Sequence, residues 1–122
     1  MSEKYFFQGG QNTIIDQPVD TVIQNFQNTY IAGDGSNKDK INKEIQKLIE
    51  LILESKDLPD DDKEGIAEAL YSIAEQVKEE KTNKFSIRGT LRDINEALSK
   101  ASDIVSPASA IIALLFKLFG LS

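Results

Sequence analysis

The fold of this 122-residue chain is decided by residues 41–53, which read INKEIQKLIELIL. The large aliphatic side chains recur every three or four residues, and most positions between them hold Lys, Glu or Gln, as in an amphipathic helix. Ser36, with Asp39 three residues later, is the predicted N-terminal cap of this helix. The predicted core stripe consists of Ile41, Ile45, Leu48, Ile49, Ile52 and Leu53.

Three more helical patterns follow this first helix. A stop at Leu58-Pro59 precedes a second helix, predicted from about Asp60 to Lys81. Ser86 is the predicted cap of a third helix, and Ser106-Pro107 is the predicted start of a fourth, which Gly120 ends. The predicted core positions of the second and third helices are Ile66, Leu70, Ile73, Ala74, Val77, Ile87, Leu91, Ile94, Leu98, Ala101 and Val105.

The fourth helix, residues 107–119, is apolar on nearly every side. A helix without a polar face belongs inside a bundle, so we expect the other three helices to surround it. The sequence therefore predicts a mainly α fold, with an antiparallel four-helix bundle over residues 36–122 and an N-terminal arm over residues 1–35.

The arm is rich in amides, with eight Gln or Asn between Gln8 and Tyr30. Two β-favouring runs, residues 4–8 and 12–16, flank Gly9-Gly10 and predict a β-hairpin. Residues 19–30 fit two structures, because their apolar side chains follow a helical period while their residue types favour a strand. Residues 33–37, which read GDGSN, are typical of a flexible linker.

Composition excludes several classes of function. The chain has no His, Cys or Trp, which removes thiol and imidazole catalysis and Cys/His zinc sites. The net charge of −6 argues against a nucleic-acid partner, because such binding depends on neutralising phosphates. We therefore expect a non-enzymatic protein without a cofactor or a resident metal.

One acidic cluster lies around the predicted start of the second helix. Carboxylates such as these can bind Ca²⁺ and Mg²⁺. The spacing of an EF-hand loop is absent, and carboxylates at a helix start interact favourably with the helix dipole. We therefore interpret the cluster as part of a helix N-terminus rather than as a metal site. Its members are Asp57, Asp60, Asp61, Asp62 and Glu64.

The amide-rich arm favours contact between identical chains. An isolated hairpin is marginally stable in water, and strands rich in Gln, Asn and β-branched residues pair readily between copies. The alternative is that the arm folds over its own bundle. The predicted oligomer interface consists of Phe6, Ile14, Ile15, Val22, Ile23, Phe26 and Tyr30.

The C-terminal helix admits three roles: a core helix, a core helix that also forms an oligomer contact, and a membrane element. A 13-residue helix is about 20 Å long, which is short of the ~30 Å hydrocarbon core of a bilayer. If the helix packs in the core, its core side consists of Ala108, Ile111, Ile112, Leu115 and Phe119. The remaining face is then either buried too or available to a partner, and it consists of Ala110, Ala113, Leu114, Lys117 and Leu121. The side chains predicted to meet a partner or a membrane are Ile111, Leu114, Leu115, Phe116 and Phe119.

The overall layout resembles small helical adaptor or effector modules of bacterial conflict and antiphage proteins. The residues that carry this resemblance are 9–15, which read GGQNTII, and 58–63, which read LPDDDK, together with the apolar closing helix. In such modules a Gly/Asn-rich β segment mediates homotypic assembly beside a death-like helical domain. The resemblance covers most of the chain in layout and implies oligomerisation and a role in bacterial defence or cell-death signalling.

These observations lead to one main hypothesis and one alternative. The main hypothesis is a self-associating interaction module whose partner is itself or another protein of the same system. The alternative is a membrane-active effector that inserts its last helix after oligomerisation. The chain has no secretory signal pattern and no apolar run of ~20 residues, so we expect a cytoplasmic protein.

Overall fold

The computed structural model describes residues 14–121 and is mainly helical, with no strand within that range. A single 3₁₀ turn precedes five α-helices. Their bounds are Ile14–Asp16 for the turn, Val19–Tyr30 (α1), Asn37–Glu54 (α2), Asp60–Lys78 (α3), Lys84–Leu98 (α4) and Val105–Phe119 (α5).

Helix α2 lies at the centre of the bundle and packs against α1, α3 and α5. The side chains of Ile45, Leu48, Ile49 and Ile52 are completely buried, which confirms the stripe predicted from residues 41–53. The prediction that the apolar last helix occupies the centre is wrong. Helix α5 packs on α2 and α4 through one side, and its other side is exposed.

Three predicted helix ends are confirmed, among them the start of α3 at Asp60. The Ser36 hydroxyl accepts a hydrogen bond from the Asp39 N–H at 3.2 Å, which caps α2. Gly120 ends α5 in the left-handed region, with φ of 74°, where a residue with a Cβ is strained.

The other predicted ends shift by two or three residues. Helix α3 ends at Lys78 rather than Lys81. The cap of α4 is Asn83, whose side-chain oxygen accepts the Ser86 N–H at 3.0 Å, so Ser86 is a first-turn residue and not the cap. Helix α5 begins at Val105, two residues before the predicted start, and no side chain caps it.

Residues 19–30 form a helix, so periodicity prevails over residue type in this segment. Val22, Phe26 and Tyr30 follow each other at intervals of four residues and are all buried. In the second predicted hairpin strand, Ile14–Asp16 forms a 3₁₀ turn instead of a strand. The rest of the predicted hairpin lies outside the described residues.

One hydrophobic core includes side chains from every described element, from Ile14 to Phe119. The predicted boundary at residue 35 therefore does not separate two cores. Helix α1 belongs to the bundle, which makes the described fold a bundle of five helices rather than four.

Side-chain contacts define the two ends of the bundle. Lys38, in the first turn of α2, forms a salt bridge of 3.0 Å with Glu80 after α3. Ser55, after α2, donates to Asp103 before α5 at 2.9 Å. The α2–α3 and α4–α5 loops thus meet at one end of the molecule, and the α3–α4 loop lies at the other.

Candidate interaction surface

The predicted oligomer interface is directed largely toward the chain's own core. Val22 and Phe26 are only 2% and 1% exposed, Ile14 and Tyr30 are also buried, and Ile15 and Ile23 are half-buried. Phe6 lies outside the described residues. Ile14, Val22, Phe26 and Tyr30 therefore have little surface to offer another copy unless the fold opens.

An aromatic cluster explains why α1 packs on its own bundle. The Phe26 ring lies 4.9 Å from the Tyr30 ring and 5.7 Å from the Tyr71 ring of α3, measured between centroids. The Tyr30 hydroxyl donates to the Glu75 carboxylate at 3.1 Å, and the Lys78 ammonium lies 5.7 Å from the centre of the Tyr30 ring. Burial raises the pKa of Tyr71 to about 12, so this hydroxyl stays neutral at physiological pH.

The loop between α1 and α2 is held in place, which corrects its interpretation as a flexible linker. The Asp39 carboxylate accepts the N–H groups of Ala32, Gly33 and Asp34 at 2.8, 2.6 and 3.0 Å. These backbone hydrogen bonds, that from Ala32 above all, hold the pKa of Asp39 below its usual range. The Asn42 amide also donates to the Tyr30 carbonyl at 3.2 Å, which satisfies a carbonyl at the end of α1.

Part of the acidic cluster considered as a metal site connects two loops instead. Asp57 accepts the Asp103 N–H at 3.0 Å and the Ser102 hydroxyl at 3.1 Å. Asp103 in turn accepts the Lys56 N–H at 2.7 Å and the Ser55 hydroxyl, and these bonds, led by that of Lys56, lower its pKa. Across residues 14–121, no group of three or more His, Cys, Asp or Glu side chains could hold one metal ion.

The five residues predicted to meet a partner or a membrane do not share one face of α5. Leu115 and Phe119 are buried, at 0% and 9% exposure, and Ile111 and Phe116 are half-buried. Leu114 is 38% exposed and is the only one of the five that is mainly directed outward. The assignment of Leu115 and Phe119 to a surface is therefore wrong for the folded chain.

The outward face of α5 is nonetheless unusually apolar. It consists of Ala110, Ala113, Leu114 and Lys117, with Ser106 and Ser109 in the first turns and half-buried Leu121 just beyond the helix. These residues lie three or four positions apart, so they form one continuous face. Lys117 is its only charged member, whereas a solvated helix face normally carries several charges.

Phe85 is a second apolar residue on the surface, and the sequence interpretation missed it. It is 83% exposed, although Ile87, two residues later, is 1% exposed. Two residues correspond to about 200° of helix rotation, so Phe85 lies opposite the core stripe of α4. Its position out of phase with Ile87, Leu91 and Ile94 was the signal available in the sequence.

Within residues 14–121, no helix is long and apolar enough to cross a membrane. No protein-family model matches the chain, and no curated protein or solved structure is significantly similar to it. The arrangement of its surface side chains therefore carries the functional argument.

Proposed function

We propose that this protein is a non-enzymatic interaction module that associates with other copies of itself. The supporting observation is the outward face of α5, which carries a single charge, Lys117, and exposes Leu114 at 38% together with Ala110 and Ala113. An exposed apolar face bordered by polar residues is typical of a protein–protein contact. The layout described above extends the proposal to bacterial defence or cell-death signalling.

The contact must involve several side chains of this face together. Burying a whole leucine side chain contributes about 1.5–3 kcal/mol, and Leu114 is already mostly covered, so it can add about 1 kcal/mol at most. Ala110, Ala113 and Leu121 extend the apolar area along the helix. Small side chains at Ala110 and Ala113 also allow the backbone of a second helix to approach closely.

Leu114→Glu tests the proposal, because a carboxylate in the middle of this face must be desolvated on association. The partial exposure of Leu114 means that the variant retains the fold, which circular dichroism verifies. We expect static light scattering of the wild type to give a multiple of the 13.6 kDa chain mass, and of Leu114→Glu to give a lower mass. Gln24→Glu, an exposed position on α1 away from this face, is the matched control and keeps the wild-type mass.

A wild type of 13.6 kDa at every concentration contradicts self-association, and an unchanged mass of Leu114→Glu removes α5 from the contact. The predicted contribution of the arm is tested by deleting residues 1–13. This truncation retains α1, whereas deletion through residue 35 removes four core residues, Ile14, Val22, Phe26 and Tyr30. If the shorter protein associates into fewer copies than the wild type, part of the contact belongs to residues 1–13, which include Phe6.

The alternative function, a membrane-active effector, has a separate readout. Leakage of dye from vesicles of anionic lipid that is abolished by Leu114→Glu, but not by Gln24→Glu, favours insertion of α5. Leu115 is unsuitable for this test, because it is fully buried and its substitution by a charged residue would unfold the bundle.

A further inference from the structure

The outward side of the N-terminal half of α4 is basic, although the chain as a whole is acidic. Residues 81–92 contain four cations and no Asp or Glu, against a net charge of −6 for the whole protein. Phe85, Arg88 and Arg92 follow at i, i+3 and i+7, so they share one face of α4 with Gly89 between them, and Arg88 is half-buried. We call these four residues the basic face. Glu96, one turn after Arg92, is exposed on the same side and ends the basic stretch.

The outward side of α3 has the opposite charge. Asp61, Gly65, Glu68 and Ser72 follow at i, i+4, i+7 and i+11, and all four are exposed. The basic residues of α3 are directed elsewhere: Lys63 donates to the Leu53 carbonyl at 3.3 Å, and the Lys78 ammonium lies over the Tyr30 ring. We call these four residues the acidic face.

Neither face is neutralised by another of residues 14–121. Arg88, Arg92, Asp61 and Glu68 form no salt bridge with any residue of the described part of the chain. Phe85, Gly89, Arg92 and all four residues of the acidic face are exposed, and Arg88 is half-buried.

Each face also contains a glycine that the fold does not require. A Cβ built on Gly65 or Gly89 would meet no atom within 4 Å, and neither residue has a positive φ. A helix with glycine at an interior position is less stable than the same helix with alanine. Gly65 and Gly89 therefore lower the stability of the fold, and no neighbouring atom explains why a side chain is missing there. The absence of a side chain is useful where another backbone approaches the helix closely.

We propose that the basic face of one copy packs against the acidic face of a second copy. The two arginines then lie opposite Asp61 and Glu68, and the Phe85 ring covers the low surface formed by Gly65 and the half-buried Ala69. This inference rests on the proposed self-association but uses a different surface from α5. It joins two different faces, so it is a heterologous contact that extends into a ring or a filament unless the copies exchange it reciprocally.

The size of the α5 face supports a second contact. A helix of 15 residues is about 22 Å long and about 10 Å wide, so one face covers roughly 200 Å² in projection. A stable interface usually buries about 800 Å² per partner. The α5 face alone is therefore too small for a durable complex, and contacts between α3 and α4 supply additional area.

A charge-exchange experiment on the full chain tests this contact. One variant carries Arg88→Glu and Arg92→Glu, and the other carries Asp61→Lys and Glu68→Lys. In either variant alone the two faces have the same sign, so we expect at least a tenfold weaker association by sedimentation velocity. An equimolar mixture should restore association. The native acidic face of the first variant then meets the native basic face of the second, and the two substituted faces also have opposite charge.

Two controls separate this contact from general effects of charge. Lys40→Glu with Lys43→Glu makes the same charge change on exposed positions of α2 and should leave association unchanged. Salt is the second control: near 1 M the Debye length falls to about 3 Å, which weakens the contact between charged faces but not the apolar α5 contact.

The outcomes distinguish this inference from the proposed function. If Leu114→Glu lowers the mass while the charge variants do not, self-association holds and the α3–α4 contact is wrong. If the mixture does not recover, the two faces do not meet. If the arginine variant stays as associated as the wild type but no longer binds phosphatidylserine vesicles, the basic face is a membrane surface and this inference fails.

Discussion

Helices α2 and α5 occupy places opposite to those that their composition suggests. Residues 37–54 of α2 alternate charged and aliphatic side chains, yet this helix lies at the centre of the bundle. Residues 105–119 of α5 carry one charge, yet one side of this helix is exposed. The position of a helix therefore depends on how well its apolar stripe fits its neighbours, and excess hydrophobicity outside that stripe remains on the surface.

The largest effect we expect is the difference between one leucine of each helix. Leu48→Ala removes a side chain that is 0% exposed and leaves a cavity, so it should lower the free energy of unfolding by about 2–5 kcal/mol. Leu114→Ala, at 38% exposure, should lower it by less than about 1 kcal/mol.

Urea unfolding at low protein concentration measures both variants without a contribution from association. Similar losses for Leu48→Ala and Leu114→Ala would contradict the assignment of α5 to the periphery, because a central α5 would bury both leucines equally.

The stripe of α2 and its cap could be predicted because both depend on local spacing. Ile45, Leu48, Ile49 and Ile52 identify the core side without knowledge of any neighbour, and Ser36 lies where a cap is needed. The structure of residues 19–30 depends on a distant contact instead. Phe26 packs on Tyr71, 45 residues away, and this packing favours the helix over the strand that the residue types suggest.

The candidate surface was less predictable for a related reason. A periodic pattern shows which residues are alike, but it does not show how much of a helix its neighbours cover. Leu115 continues the core series of Ala108 and Ile112 and Leu114 does not, but the packing against α2 and α4 decides that the side with Leu114 stays exposed. Phe85 was missed because it precedes Ile87, the first core residue of α4, and lies out of phase with the core stripe.

The next largest effect is a difference in stability between two kinds of glycine: those on the surface and the one that the fold requires. Gly89→Ala should raise the free energy of unfolding by about 0.5–1 kcal/mol, because alanine favours the helix and its methyl group meets no other atom within 4 Å. Gly65→Ala should behave in the same way.

Gly120→Ala is the matched comparison for these two glycines. Its φ of 74° strains any residue with a Cβ, and that Cβ would lie 3.4 Å from the Lys84 ammonium, so this variant should be destabilised. Thermal unfolding ranks the three variants. A loss of stability in Gly89→Ala would mean that the fold itself requires this glycine, and the glycine would no longer support a contact surface.

The smallest effect concerns pH and compares the loops that precede α2 and α5. Asp39 accepts three backbone N–H groups at the start of α2, and Asp103 accepts the Lys56 N–H before α5. The pKa of each carboxyl is lowered in the folded state, so each carboxylate stabilises the fold above the unfolded pKa of about 3.9. That stabilisation is lost as the pH falls through the folded pKa.

We therefore expect Asp39→Asn and Asp103→Asn to melt below the wild type at pH 7, with a difference in melting temperature that narrows toward pH 2. Asp93→Asn, an exposed position on α4, should follow the wild type throughout, and a constant difference for Asp39→Asn would show that its role is steric rather than electrostatic.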